Sequence, residues 1–184
     1  MGEREMEIDL SYLQVLAKTS LLVREGLLSL EVQSRPKKLP QIFWDKIQEM
    51  HGLGATLVLQ KELRSSDVDP RQYRLSMPAK KIKAKFLTRE ESETLESQKG
   101  IPVSLIEPCL KVHHGLQLKR WMNDTVHFSY VLTKEWNDVA QFEQNGLKKD
   151  SPVQLWAFRV NGDLCFCLVN SKHPPAAADN YSVS

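Results

Sequence analysis

The dipeptide Asn161-Gly162 sits between two apolar runs, Pro152 to Val160 and Asp163 to Val169. Asn-Gly accepts the positive backbone angles of a two-residue turn whose twist matches the strands it joins. The C-terminal part of the chain is therefore held to a β-hairpin. In its second run, Leu164, Phe166 and Leu168 alternate with Cys165 and Cys167. Alternation puts the two cysteines on one face of a buried strand.

Further strands are expected at residues 56–61, 73–77, 101–106, 116–121 and 128–133, from β-branched and aromatic content and from their bounding turn residues. Short helices are expected between them. Ser65-Ser66-Asp67 supplies capping side chains for one turn. Thr88 stands three residues before Glu91, the spacing of a capping box, for a helix reaching about Gln98. Lys134 to Gln144 should be helical, burying Trp136, Val139, Ala140 and Phe142, with Asn145-Gly146 as its cap. Several strands are joined by turns rather than helices, which favours a mostly antiparallel sheet or barrel. Upstream, residues 7–28 place Leu10, Leu13, Ala17, Leu21 and Leu28 on one helical stripe. Pro36 and Pro40 break that helix, and Gln41 to Met50 forms another.

Composition excludes several classes. With 41% apolar and 26% charged residues, the 184-residue chain is neither disordered nor fibrous. No run approaches the ~20 apolar residues of a membrane span, and the charged N-terminus lacks a signal-peptide pattern. An odd count of three cysteines does not make a secreted disulfide framework. The net charge of +2 is unevenly spread: residues 1–54 carry −1, residues 55–122 carry +5 and residues 123–184 carry −2. A basic middle section suggests a polyanionic partner.

Motifs of catalysis are missing: no P-loop, G-x-G-x-x-G, G-x-S-x-G or H-E-x-x-H occurs. No enzyme, cofactor or metal is expected. Glu90, Glu91, Glu93 and Glu96 should form a solvated helix face, and His113-His114 matches no recognised ligand spacing. Two loops suit binding instead. Residues 60–74 mix Lys and Arg with Ser, Gln and Tyr, and residues 119–125 form a basic, amide-bearing hairpin tip. Such groups hold phosphates and read base edges.

These residues carry a resemblance. Lys61-Glu62-Leu63-Arg64-Ser65-Ser66-Asp67-Val68 followed by Arg74-Leu75-Ser76-Met77-Pro78 resembles the opening of the plant B3 DNA-binding domain. Ser129-Tyr130-Val131-Leu132-Thr133-Lys134-Glu135-Trp136 resembles its second block, and Asn145 to Val153 its third. The last hairpin, a helix like Leu39 to Met50 and an insertion like residues 79–112 are similar to a divergent subfamily of B3 proteins. The likeness covers about residues 39–170.

The resemblance implies a mostly β fold with short helices, a seven-stranded open pseudobarrel of the kind also found in restriction-endonuclease recognition domains, preceded by N-terminal helices. It divides the chain into an N-terminal helical extension and linker (1–38), a B3-like domain (39–172) and a disordered tail (173–184). It implies two arms straddling the major groove of double-stranded DNA. By motif position, Lys61, Arg64, Ser65, Ser66, Arg71 and Arg74 would form the first. Lys119, Arg120, Trp121, Asn123, Thr125 and Ser129 would form the second. Asp67 would cap a helix, and Trp136, Trp156 and Phe158 would be core.

The implied function is a nuclear, sequence-specific regulator of transcription, with Arg35-Pro36-Lys37-Lys38 as a short import signal. The alternative is a protein-interaction module on the same scaffold, pairing with a partner or a second copy through the N-terminal helix. Two departures from the family pattern stand out. Asp124-Thr125-Val126-His127-Phe128 occupies the place of Trp-Asn-Ser-Ser-Gln, and Glu135 replaces a glycine.

Overall fold

The computed structural model describes residues 10–28 and 35–175. Residues 1–9, which include positions 7–9 of the first expected helix, the stretch 29–34 and the tail from 176 lie outside the described residues.

Seven strands form one sheet: β1 (Leu53–Glu62), β2 (Leu75–Pro78), β3 (Ile101–Ile106), β4 (Val112–Met122), β5 (Phe128–Lys134), β6 (Pro152–Val160) and β7 (Asp163–Asn170). Their order across the sheet is β1-β6-β7-β3-β4-β5-β2. Only β3 and β7 run parallel; every other pair is antiparallel. The sheet curls into an open pseudobarrel whose two end strands, β1 and β2, are not laddered together. The β6–β7 hairpin turns at Asn161 (φ 51°) and Gly162 (φ 85°), as the Asn-Gly pair requires.

A helical turn, α3 (Ser65–Val68), fills the gap between the end strands. Lys61 at the end of β1 donates from Nζ to the Ser76 carbonyl on β2 (3.0 Å) and to Asp67 Oδ2 on α3 (2.6 Å). Asp67 also accepts from the Arg64 amide at Oδ2 (2.7 Å) and from the Ser76 amide at Oδ1 (3.1 Å). Asp67 therefore caps its helix as expected, and it also ties the two barrel edges together. Beyond β2, residues 79–85 run along the outer edge of β1, where the Lys83 amide donates to the Val58 carbonyl. That edge is thereby blunted against pairing with another chain.

The sheet separates two apolar layers. Leu59, Leu75, Met77, Leu118, Leu132, Trp136, Leu155 and Phe166 belong to the barrel interior. Cys165, Cys167, Trp156 and Phe158 face outward beneath α2 (Gln41–Glu49), which lays Phe43 and Ile47 on them. Each of those two side chains contributes roughly 1.5–3 kcal/mol by full burial. Trp136, Trp156 and Phe158 are core, as the resemblance implied, and so are both strand cysteines, as the alternation suggested.

Four expectations need correction. The first helix, α1 (Leu10–Arg24), buries Leu22, with Val15 and Thr19 half-buried. Leu10, Leu13 and Ala17 of the expected stripe are exposed, because the helix meets the domain chiefly through its C-terminal half. The helix expected over 134–144 is only α5 (Trp136–Ala140), since Lys134 takes a left-handed conformation (φ 62°). Phe142 lies outside it, exposed beneath the Lys111 ammonium. On α4 (Arg89–Glu96), the Thr88 capping box forms, but Glu91 is not solvated. It turns inward to the buried Arg159, which donates to both of its oxygens.

Candidate nucleic-acid interface

Strand register decides which of the basic residues share a surface. Ser76 on β2 is paired with Val131 on β5, which is paired with Lys119 on β4. Likewise Pro78 pairs with Ser129, and Ser129 with Trp121. Directly paired residues point to the same side of a sheet, so Ser76, Pro78, Lys119 and Trp121 lie on one face. Lys119 is two strands from Ser76, about 10 Å at the usual strand spacing. The opposite side of these strands carries the core residues Leu75, Met77, Leu118 and Leu132.

On this outer face lies a polar pocket of about 160 Å³ lined by Lys61, Arg64, Ser66, Arg74, Ser76, Pro78 and Lys81. Four of these are cationic residues, and among the described residues no carboxylate lines the pocket. Arg74 extends from the pocket to Trp121, placing its guanidinium 4.9 Å from the ring centroid. That contact joins the loop before β2 to the end of β4, the two segments singled out in the sequence. Arg64 and Ser65 are exposed at the start of α3, and Ser66 is half-buried in the pocket wall.

The backbone under the first segment is fastened from α5. Trp136 Nε1 donates to the Asp67 carbonyl (2.7 Å), Asn137 Nδ2 to that of Pro70 (2.6 Å) and Gln141 Nε2 to that of Val68 (2.8 Å). The loop 65–70 thus hangs from three side chains of its neighbour, while its own Arg64 and Ser65 remain outward. Arg71 is exposed and bidentate on Asp69, both contacts at 3.1 Å, and this pairing lowers the Asp69 carboxyl below its ordinary range.

The second segment is a tight hairpin tip. Asp124 Oδ1 accepts from the Val126 and His127 amides, each at 2.8 Å, and its carboxylate pairs with the His127 ring. These bonds, the two amides first, hold the Asp124 carboxyl down to about 2. Asn123 donates from Nδ2 to Ser129 Oγ (2.9 Å), and Thr125 is exposed at the tip.

Three of the twelve expected contact residues are placed differently. Lys61 lies buried in the pocket wall with its ammonium on Asp67, and burial lowers its pKa despite that partner. Arg120 follows Lys119 in an extended strand and so points to the other face. There it stacks 4.1 Å over the Phe128 ring and pairs with Glu96. Ser129 is buried and serves to orient Asn123. Conversely, Lys81 lines the pocket but was not expected there. The run Lys80, Lys81, Lys83 and Lys85 was its only signal, in a stretch set aside as an insertion.

Comparison with known proteins adds the following. A family model described as "B3 domain-containing protein At2g31720-like" matches residues 35–172. The B3 domain-containing protein At1g05920 of Arabidopsis thaliana is 37% identical over 152 residues, 76% of this chain and 46% of that protein. The B3 domain-containing protein At2g32645 of the same plant is 33% identical, over 64% of this chain and 66% of that protein. The B3 domain-containing protein At2g31720 is 34% identical, over 73% and 45%. The matches thus span about half to two thirds of these relatives. A solved structure described as an Arabidopsis FUS3-DNA complex is similar at 18% identity and a TM-score of 0.40, covering 62% of this chain and 98% of that one.

Proposed function

The chain belongs to the At2g31720-like family of B3 domain-containing proteins, and from that premise we propose that it binds double-stranded DNA in the nucleus and regulates transcription. The two segments would enter the major groove from either side. Arg64 is suited to bidentate contact with guanine and Asn123 to adenine, and Arg71 would read guanine by exchanging Asp69 for the base; Arg74, Lys81 and Lys119 are suited to phosphate. Ser65, Ser66 and Thr125 add hydroxyl donors beside them. The observation that carries this reading is the Arg74–Trp121 stack, which supports treating both segments as one cationic surface. Outward residues of such a surface are free to meet a ligand, whereas Lys61 and Arg120 serve the scaffold.

A salt titration tests it. If Arg74, Lys81 and Lys119 meet phosphate, log affinity for random duplex DNA falls against log salt with a slope of about −2.7. A flat line rejects the proposal. Recovery of one common sequence from a random duplex pool would establish specificity.

A second reading is favoured by a separate observation. Leu10, Tyr12, Leu13 and Leu16 are exposed along α1, an apolar surface of the kind that pairs with a partner or a second copy. Deleting residues 1–38 and measuring mass in solution decides the self-association form: an unchanged monomer removes it.

A further inference from the structure

His113 is the second residue of β4 and is buried, in contrast to the other histidines of described burial, which are exposed. Its Nδ1 lies 3.0 Å from Glu107 Oε1, just beyond the end of β3. Glu107 is 1% exposed and is itself fixed, since Asn145 Nδ2 donates to Oε2 at 2.6 Å. Asn145 is fully buried and anchored by the Cys109 amide, which donates to its side-chain oxygen. The inner nitrogen of His113 is therefore committed to a carboxylate, and the outer one, Nε2, is aimed at the surface.

At that surface Nε2 lies 2.9 Å from Glu135 Oε2. Asp138, one helical turn further on, brings a third donor: one atom each from His113, Glu135 and Asp138 lies within 4.8 Å of the others. Room for Glu135 is provided by Gly115, where a Cβ would come 2.6 Å from its carboxylate oxygen.

We propose that His113 Nε2, Glu135 and Asp138 bind a divalent first-row transition metal, zinc by chemical preference. One imidazole and two carboxylates make a three-ligand set with a fourth position for water. A tetrahedral ion with ligands at about 2.0–2.1 Å needs donors roughly 3.3 Å apart, between the 2.9 Å of the His113–Glu135 pair and the 4.8 Å that bounds the whole set. The Glu107–His113 contact is the outer-sphere bond that fixes the ring orientation of metal-binding histidines. Asn145 extends that support one residue deeper. No linear motif announces the site, because its ligands come from β4 and from the turn into α5, 22 residues apart for the first pair. Bound there, the ion would tie the start of β4 to the helix that carries the loop 65–70.

The test is titration of the full chain, stripped with chelator, with zinc chloride by calorimetry and with cobalt chloride by visible absorption. One ion per chain is expected, with a cobalt ligand-field band of tetrahedral intensity. Asp138→Asn and Glu135→Gln change exposed carboxylates, so they should fold, and each should weaken binding at least ~10-fold. His113→Gln should abolish the cobalt band, while His114→Gln, at the exposed neighbouring ring, should leave it unchanged. Binding that is not saturable, or that survives both Asp138→Asn and Glu135→Gln, or that is lost in His114→Gln, overturns the proposal.

Discussion

The Arg74 guanidinium lies over the Trp121 ring at 4.9 Å, and this one contact links the loop before β2 to the end of β4. A cation–π pair at an accessible site is worth about 0.5–1 kcal/mol. If the two segments act as a unit, Arg74→Ala and Trp121→Ala should each weaken duplex binding. The double variant should then lose less than the sum, with a coupling of at least ~0.5 kcal/mol. Fluorescence anisotropy on a labelled duplex measures all four corners. Strict additivity would mean that the segments bind independently.

Neighbours in β4 should behave oppositely. Lys119→Ala should reduce the salt slope by about one unit, as expected for a phosphate contact. Arg120→Ala should leave the slope unchanged and lower stability, since its guanidinium covers Phe128 and pairs with Glu96. Salt titrations and urea melts of the two variants separate the roles.

Arg64→Ala should lose ~1–3 kcal/mol of discrimination between the selected sequence and its mismatches if the residue reads a base. Equal losses on every duplex would assign it to the phosphate backbone.

Removing Asp67 should be more damaging than removing its partner. Asp67→Ala strands the buried Lys61 ammonium and leaves the amides of Arg64 and Ser76 without their acceptor. A loss of about 3–5 kcal/mol is expected for breaking such a buried pair. In Lys61→Met the carboxylate keeps both amide donors, so the loss should be smaller. Urea denaturation that ranks the two the other way would reject this account of the seam.

Acid should loosen the hairpin tip. The Asp124 carboxyl is held down to about 2 in the folded chain, below its ordinary value. Its contribution is therefore complete above about pH 4 and is lost as pH falls toward 2. Amide shifts of Val126 and His127 followed by NMR should titrate in that window. Asp124→Asn should remove the effect and tighten duplex binding, by taking an acid away from phosphates.

The β-hairpin, the capping box and the outward cysteine layer were legible in the sequence because each is a local pattern: a turn pair, a three-residue spacing, an alternation. All seven strands are legible for the same reason. What stayed hidden depends on partners far along the chain. Glu91 looked like a surface acid because Arg159, 68 residues away, is not visible in a helix pattern. Lys61 looked like a phosphate ligand because the motif that contains it does not say which member faces inward. Arg120 is different: period-two alternation already separates it from Lys119, so the strand rule, applied through to the side chains, would have excluded it. The gathering of Arg64, Arg74 and Lys81 around one pocket depends on the closure of β2 against α3, which only the three-dimensional chain reveals.

The carbonyls of Asp67, Val68 and Pro70 are suspended from Trp136, Asn137 and Gln141. Main chain held from behind in this way has no need of particular side chains in front to keep its shape. Residues at the tip are then open to substitution without refolding, so paralogues built on this frame could diverge in what they recognise while retaining the same skeleton.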